Sequence, residues 1–210
     1  MFSLYIFDLD GTLIDSRQDI ANAVNRTFAD LKLPPLPHET IYSFVGNGVY
    51  KLMTDATGSS DPAFLKQTLQ IFEQHYLANL LDKTVLYPGM RELLDQNKNR
   101  RKSVATNKRV PFTRQIIAGL CPSDFELILG AEEGVKLKPD PEMLLKTLTQ
   151  LNVPAQETIL IGDMINDIAA ARAAGIKICA VGYGFGNEKE LKAASPDFYA
   201  KSVEELKAIF

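Results

Sequence analysis

The chain has 210 residues, 46% of them hydrophobic and 23% charged, and its formal net charge at pH 7 is −3. This length suits one domain, or a core with a modest insertion. The small net charge, with both signs interspersed, gives no global field that would attract nucleic acid or a membrane surface, so neither is expected as a partner. Two isolated cysteines, Cys121 and Cys179, do not make a disulfide framework and indicate a reducing compartment.

The N-terminal segment is apolar over residues 4–7 but reaches Asp8 and Asp10 at once. It has no basic n-region and no cleavage site, which is not the pattern of a signal peptide. No uncharged run approaches the length of a membrane span. We therefore expect a cytoplasmic protein, monomeric or homodimeric.

Five short apolar runs each end in an acidic, hydroxyl or glycine residue and then pass into a helical pattern, which predicts buried parallel strands. These runs cover residues 4–7, 103–105, 127–129, 159–161 and 176–181. Amphipathic helices are predicted over residues 110–120, 141–151 and 165–174, the last with Gly175 as its C-cap. The alternation predicts a doubly wound parallel α/β sheet, in which a ligand binds beyond the carboxyl ends of the strands.

The segment over residues 15–85 breaks this alternation, because it has helical periodicity and no convincing strand. Its apolar stripes are Ile20, Val24, Phe28 and Leu31, followed by Leu65, Leu69, Phe72 and Tyr76. We predict an inserted α-helical domain over residues 15–85, which leaves residues 1–14 and 86–210 to form the α/β core.

The sequence Asp8-Leu9-Asp10-Gly11-Thr12-Leu13 directly follows the first predicted strand. Alternate residues of a strand point to the same face, so Asp8 and Asp10 share one side and can divide the work of nucleophile and general acid or base. Gly11 permits a tight turn whose backbone N–H groups can face an anion. A strand end with solvated acids would explain a bare Asp-x-Asp equally well, but further motifs stand at the ends of other strands.

Two of these motifs offer groups for an anion. Thr106 and Asn107 follow a predicted strand, where a hydroxyl and a backbone N–H are natural phosphate contacts, although both residues also favour a helix N-cap. Lys138 precedes Pro139, which can sit near the first turn of a helix, and a cation at a helix N-terminus is disfavoured unless an anion is present. A solvated surface lysine is the alternative for Lys138, and Lys136 could compete for the same role.

The segment Gly162-Asp163-Met164-Ile165-Asn166-Asp167 leaves another predicted strand and opens a helix. The four-residue spacing can place Asp163 and Asp167 on one face, although acids at a helix N-terminus often only complement its dipole. Asn166 is of a type more often solvated than functional, and it is left out of the predicted site.

Together, Asp8, Asp10, Asp163 and Asp167 are predicted to converge on one crevice. Four carboxylates so close together cannot all stay ionised without a counter-charge, and Lys138 alone is too little. A hard divalent cation bound through oxygens resolves this conflict, and Mg²⁺ with retained waters suits a phosphate substrate. The sequence therefore predicts a magnesium site beside a phosphate site.

These four motifs, in this order and at this spacing, resemble those of the haloacid dehalogenase-like (HAD) phosphatases. The insertion stands in the position of that superfamily's helical cap, so the resemblance implies a Rossmann-like core with an α-helical cap. It also implies that Asp8 is the nucleophile, which forms an aspartyl-phosphate. Asp10 would protonate the leaving oxygen and then deprotonate water.

The resemblance further implies two sets of ligands. The predicted substrate contacts in the core are Gly11, Thr12, Thr106, Asn107 and Lys138. The predicted Mg²⁺ ligands are Asp8, the backbone carbonyl of Asp10, Asp163 and Asp167.

Within the superfamily the chain most resembles the phosphoglycolate phosphatases, so the implied reaction is cleavage of 2-phosphoglycolate to glycolate and phosphate. The similarity lies in Val45-Gly46-Asn47-Gly48-Val49, in residues 170–175 and in Gly182-Tyr183-Gly184, whereas Met164-Ile165 departs from the polar residues typical of that family. We expect exposed N–H groups at Gly46, Asn47 and Gly48 to open a helix and bind the second anionic group of the substrate, a plain turn being the alternative.

Other functions fit parts of this pattern. A phosphomutase, or another capped sugar-phosphate or nucleotide phosphatase, would use Asp8 and Asp10 in the same way. A haloacid dehalogenase proper needs neither an acid at position 10 nor a metal, so the motifs argue against it. A catalytically inactive module that only binds a phosphometabolite would be expected to lose motif residues, and none is missing.

Overall fold

The sheet forms around the first strand, which is apolar at every position and is covered on both faces. The computed structural model describes residues 2–210. The strands in chain order are Leu4–Phe7 (β1), Ile14–Asp15 (β2), Val85–Leu86 (β3), Arg101–Arg109 (β4), Leu127–Ala131 (β5), Thr158–Gly162 (β6), Lys177–Val181 (β7) and Phe198–Ala200 (β8). Six of them form a sheet in the order β5-β4-β1-β6-β7-β8, with every pairing parallel. The predicted α/β sheet is confirmed.

Helices occupy the connections between these strands. In chain order they are Arg17–Asp30 (α1), His38–Tyr42 (α2), Val49–Thr57 (α3), Pro62–Asn79 (α4), Met90–Gln96 (α5), Val110–Leu120 (α6), Glu142–Leu151 (α7), Ile165–Ala174 (α8), Glu188–Ala193 (α9) and Val203–Leu206 (α10). Within residues 2–210, none of the helices combines the length and the apolar character needed to cross a bilayer.

Alternate residues of β1 enter two separate hydrophobic cores. Tyr5 and Phe7 pack in one core with side chains of α5, α6 and α10, whereas Leu4 and Ile6 pack in the other with side chains of α7, α8 and α9. This alternation is expected where a strand is buried on both faces. The helices on the two sides fix the sheet, and with it the polar residues that follow its carboxyl ends.

The strand order creates a crevice beside β1. When only the strands of this sheet are numbered along the chain, β5-β4-β1-β6-β7-β8 becomes 3-2-1-4-5-6, and the direction of winding reverses between β1 and β6. Asp8 directly follows β1, and Asp163 directly follows β6. The topology therefore brings residues from distant parts of the sequence to the same edge.

The helices α1 to α4 lie between β2 and β3 in the chain, and we call residues 15–85 the helical insertion. Within it α1 packs against α2 and α4, and α3 packs against α4. The two connections to the sheet run side by side, because β2 and β3 pair antiparallel. Asp19 on α1 ties these connections further, since its carboxylate accepts hydrogen bonds from the backbone N–H groups of Lys83 and Thr84 at 2.8 and 2.7 Å.

The structure differs from the sequence prediction mainly in β4. This strand continues through Thr106 and Asn107 to Arg109, with an irregular register against β5, and α6 begins only at Val110. Thr106 and Asn107 are therefore not helix caps, and that alternative is wrong. The strands β2, β3 and β8 were not predicted, because two or three residues are too few to show a periodicity.

Candidate active site

Four side chains from three separate chain segments meet at the crevice beside β1. Asp8, Asp163 and Asp167 each place a carboxylate oxygen within 4.8 Å of the others, and all three residues are buried. Lys138 is buried among them, with its Nζ 3.0 Å from Asp8 Oδ1 and 2.6 Å from Asp167 Oδ1. Lys136, the competing lysine, is exposed and pairs with Asp140. The structure thus brings Lys138 and three of the four predicted acids together.

The burial of these groups changes their titration. Burial raises the pKa of Asp8 from 3.8 to about 6, with Lys138 opposing the rise and Asp167 adding to it. Burial and the neighbouring carboxylates of Asp8 and Asp167 raise the pKa of Asp163 well above its usual range. Burial alone would lower the pKa of Lys138, but the carboxylates of Asp167 and Asp8 outweigh it and raise that pKa. The cluster is therefore short of positive charge.

The residues present fit a divalent cation. Three carboxylates against one ammonium leave two negative charges uncompensated, and carboxylate oxygens are the donors that Mg²⁺ prefers. In addition, Asp8 Oδ1 is a buried oxygen that accepts no well-directed hydrogen bond within residues 2–210, although Lys138 Nζ is near. A buried, unsatisfied oxygen calls for a partner, and a cation at this edge would be one.

Gly11 and Thr12 support Asp163 rather than line the cavity described below. A Cβ at Gly11, whose φ is +81°, would overlap the Asp163 carboxylate. The Thr12 hydroxyl donates to Asp163 Oδ1 at 3.1 Å, and the Phe185 N–H donates to Oδ2 at 2.7 Å. These contacts fix the orientation of the Asp163 carboxylate.

The Asp10 side chain lies apart from the three clustered carboxylates. Lys108 Nζ contacts both of its oxygens, at 2.9 and 3.0 Å, and the Ser16 hydroxyl donates to Oδ1 at 2.5 Å. Lys108 is itself buried, with its Nζ 4.7 Å from the centre of the Tyr76 ring. These contacts hold the Asp10 carboxyl group in one orientation. They leave only the backbone carbonyl of Asp10 as a possible metal ligand.

Asn107 joins three parts of the molecule. Its side-chain oxygen accepts from the Lys138 N–H at 2.8 Å, and its amide donates to the carbonyls of Lys138 and Gly46 at 2.9 and 3.1 Å. The neighbouring Thr106 is buried, and its hydroxyl oxygen accepts from the Lys108 N–H at 3.2 Å. That contact leaves the hydroxyl proton of Thr106 free to donate to a ligand.

The loop of residues 46–48 opens α3, as its sequence predicts. Gly48 is the N-cap residue with a φ of +82°, and the backbone N–H groups of Gly46, Asn47 and Gly48 donate no hydrogen bond within the described chain. The Asn47 side chain instead points towards α8 of the α/β core, where its Oδ1 accepts a hydrogen bond from Asn166 Nδ2 at 2.7 Å. The loop is thus held against the carboxyl edge of the sheet.

A small cavity of about 60 Å³ lies between the helical insertion and the sheet. Asp8, Asp10, Thr106, Asn107, Lys108 and Arg109 line it from the core. Gly46 and Gly48 line it from the loop. The remaining wall is apolar except for the buried Tyr76 hydroxyl, and it consists of Ile20, Val45, Val49, Leu52, Phe72, Tyr76 and Phe112. Asn47 is absent from this wall, as are Gly11, Thr12 and Lys138.

Sequence reasoning missed several residues that the structure brings to the site, among them Ser16, which donates to Asp10, and Phe185, which donates to Asp163. Lys108, Asn166 and Arg109 were missed as well. Lys108 follows Thr106 and Asn107 directly, so its position in the motif was a usable signal. Asn166 was set aside as solvated, but it contacts Asn47. Arg109 had no signal, because its contact with the cavity depends on where the insertion lies.

Comparison with known proteins agrees with this geometry. The family model described as haloacid dehalogenase-like hydrolase matches residues 5–181. Phosphoglycolate phosphatase of Colwellia psychrerythraea is 37% identical, over 96% of this chain and 93% of that protein, and the enzyme of the same name from Chromobacterium violaceum is 38% identical, over 95% and 92%. A crystal structure of a predicted phosphoglycolate phosphatase from Haemophilus somnus matches with a TM-score of 0.92 and 26% identity, over 99% of this chain and 97% of that one.

The chain belongs to the haloacid dehalogenase-like hydrolases, since the family model spans most of its length. The relatives that it matches almost end to end are phosphatases. It is accordingly a phosphoric monoester hydrolase.

The carboxylate cluster predicts opposite effects of pH with and without a cation. Because the pKa of Asp8 rises from 3.8 to about 6 on folding, the metal-free folded state holds more protons than the unfolded chain between these values, and its stability should fall as the pH rises through them. Mg²⁺ needs ionised carboxylates, so it should stabilise the protein more at pH 7.5 than at pH 5. At 100 times its Kd the gain is about 2.7 kcal/mol, or roughly 5–10 °C in Tm.

Thermal unfolding with and without Mg²⁺ at the two pH values measures this effect. Asp163→Asn should remove the Mg²⁺-dependent rise in Tm, whereas Asp55→Asn, which changes the half-buried partner of Lys51 on α3, should keep it. An equal rise at both pH values that persists in Asp163→Asn would show that the cation binds elsewhere.

Proposed function

We propose that this protein is a Mg²⁺-dependent phosphatase that hydrolyses 2-phosphoglycolate through an aspartyl-phosphate on Asp8. One observation carries the proposal: within residues 2–210, Asp8 is the residue that belongs both to the buried carboxylate cluster and to the cavity wall. A phosphoryl group in the cavity would meet its carboxylate directly. The nucleophile and the groups that balance its charge are therefore in one place.

In the first step a carboxylate oxygen of Asp8 attacks the phosphorus, and the bond from phosphorus to the ester oxygen breaks. The leaving alkoxide takes a proton from Asp10, whose carboxyl group is held by Lys108 and Ser16. The hydroxyl of Thr106 and the ammonium of Lys138 would hold the phosphoryl oxygens. Positive charge next to these oxygens stabilises the transition state.

In the second step Asp10 removes a proton from water, and the resulting hydroxide attacks the phosphorus of the aspartyl-phosphate. Inorganic phosphate leaves and the Asp8 carboxylate is restored. Asp8, the backbone carbonyl of Asp10, Asp163 and Asp167 would hold Mg²⁺. When bound, Mg²⁺ supplies the positive charge that offsets the phosphoryl group and the carboxylate cluster.

Two features support phosphoglycolate as the substrate. The relatives from Colwellia psychrerythraea and Chromobacterium violaceum, 37% and 38% identical over almost the whole chain, are named phosphoglycolate phosphatases. The free N–H groups of residues 46–48 stand at the start of α3, where an anion such as the substrate carboxylate is stabilised by the helix dipole.

A phosphomutase with the same Asp8 and Asp10 is the competing function. It would shield the phospho-enzyme from water and would require a bisphosphate activator, whereas the proposed phosphatase releases phosphate without one. Steady release of phosphate from 2-phosphoglycolate with Mg²⁺ alone separates the two.

Asp8→Asn should abolish turnover, because an amide is not a nucleophile for phosphorus. We expect kcat to fall by roughly 10³-fold or more, while Tm does not decrease, since the change is nearly isosteric and removes a buried charge. Phosphate release measures the first quantity and thermal unfolding the second. Asp95→Asn, at an exposed position, is the matched control, and substantial activity in Asp8→Asn would refute the mechanism.

Asp10→Asn should affect poor leaving groups most, because a general acid matters when the alkoxide is basic. We expect kcat/KM to fall about 10²-fold more for an alkyl phosphate than for p-nitrophenyl phosphate. Ser16→Ala, which removes a hydrogen bond to Asp10 but keeps the carboxyl group, should change both substrates less. Equal losses on the two substrates would mean that Asp10 acts only by holding the loop.

Gly48→Val should reduce selectivity for phosphoglycolate. Gly48 has a φ of +82°, which strains the backbone of any residue with a Cβ, and that Cβ would stand 2.9 Å from Leu137 Cδ1, so the 46–48 loop or the Leu137 side chain has to shift. We expect kcat/KM to fall roughly tenfold more for phosphoglycolate than for p-nitrophenyl phosphate, which corresponds to losing one charged hydrogen bond. Gly58→Val has the same kind of backbone strain at a φ of +65° but open space around the new side chain, and it should keep the wild-type ratio. An unchanged ratio in Gly48→Val would make the loop a plain turn.

A further inference from the structure

The cavity has two basic residues in its wall, Lys108 and Arg109, among the described residues. The part of the wall supplied by the helical insertion carries no charge, since its polar groups are the backbone of the 46–48 loop and the buried hydroxyl of Tyr76. A substrate carboxylate placed there loses its water and needs a charged partner in return. The partner has to come from one of the two cations.

Lys108 already pairs with a carboxylate of the protein itself. Its Nζ contacts both oxygens of Asp10, at 2.9 and 3.0 Å, and it is packed beneath the Tyr76 ring. Only 6% of its side chain is exposed. Moving it to a substrate would leave the buried carboxylate of Asp10 without its charged partner, which is costly.

Arg109 is in a different situation, although it is the next residue. Its side chain is 40% exposed, and its guanidinium pairs with Glu73 on α4, which is 30% exposed. The pair therefore links the end of β4 to the helical insertion at the cavity edge. Exposed ion pairs contribute little to stability, so one carboxylate can replace another at this guanidinium at small cost. The planar fork of arginine suits a carboxylate with two parallel hydrogen bonds.

We propose that Arg109 is the specificity residue for the carboxylate of the substrate, and that Glu73 holds its guanidinium until the substrate displaces it. The inference rests on the proposed function, because it assumes a phosphomonoester on Asp8. It narrows the substrate class to short phosphomonoesters that carry a carboxylate. Arg109 supplies a full positive charge in addition to the partial charges of the N–H groups of the 46–48 loop. When the cavity is empty, the pair of Arg109 with Glu73 joins the sheet to the helical insertion.

The test compares 2-phosphoglycolate with ethyl phosphate, which has the same carbon count but no carboxylate. Arg109→Gln should lower kcat/KM for phosphoglycolate roughly 10- to 100-fold more than for ethyl phosphate, mainly through KM. Arg109→Lys keeps the charge but loses the fork, so its loss should be intermediate. Glu73→Gln removes the internal competitor and should lower KM for phosphoglycolate several-fold. Arg114→Gln, on the exposed side of α6, is the matched control and should leave both substrates unchanged.

Each outcome decides the proposal. Equal losses on the two substrates in Arg109→Gln would make Arg109 only a structural link to Glu73, and an unchanged or higher KM in Glu73→Gln would refute the displacement. Wild-type protein that releases phosphate from neither substrate would instead refute the proposed function. In that case calorimetric binding of 2-phosphoglycolate to Asp8→Asn, with and without Arg109→Gln, still tests Arg109, and equal affinities would overturn its role.

Discussion

The site depends on one shared charge, the ammonium group of Lys138 between Asp8 and Asp167. Three buried carboxylates against one ammonium leave a deficit of positive charge, and the protein interior cannot screen it. Hydrogen-bond donors offset part of the cost of burying these charges, because they hold the carboxylates in place. The Thr12 hydroxyl, for example, donates to Asp163. If the cluster binds a cation and a phosphoryl group as proposed, its carboxylates already stand in place before either arrives, and such preorganisation lowers a reaction barrier.

The sheet holds the clustered carboxylates close together in spite of their repulsion. Asp8 and Asp163 follow neighbouring parallel strands, so their positions are set by backbone hydrogen bonds in the centre of the molecule rather than by loops. Two hydrophobic cores, one on each face, prevent the strands from moving apart. Mutual repulsion between the carboxylates is therefore opposed by the packing of the whole domain. The same acids on mobile loops would separate, or would take up protons, until the charge deficit vanished.

Sequence reasoning succeeded where a residue's position follows from its own strand. Asp8, Asp163 and Lys138 were found because each stands beside a strand end or a helix start, and those signals are local. It failed where a residue's position depends on how the α/β core and the helical insertion pack together. The contact of Asn166 with Asn47 and that of Arg109 with Glu73 both join the core to the helical insertion, and no periodicity in the chain encodes how these layers meet. The extension of β4 through Thr106 was also missed, because it depends on β4 pairing with β5 again at Arg109, which the local preference of Thr106 and Asn107 for a cap does not reveal.

In the proposed function the core supplies the chemistry and the insertion supplies the selection, and Asn107 contacts both parts. Its side chain holds the backbone of Lys138 and also donates to the Gly46 carbonyl. The placement of the lysine and that of the loop therefore depend on one amide. Val49 and Leu52 of the insertion line the cavity but do not belong to the carboxylate cluster. For this reason the core motifs predict the class of reaction from sequence alone, whereas the substrate has to be proposed from the cavity wall and from the relatives.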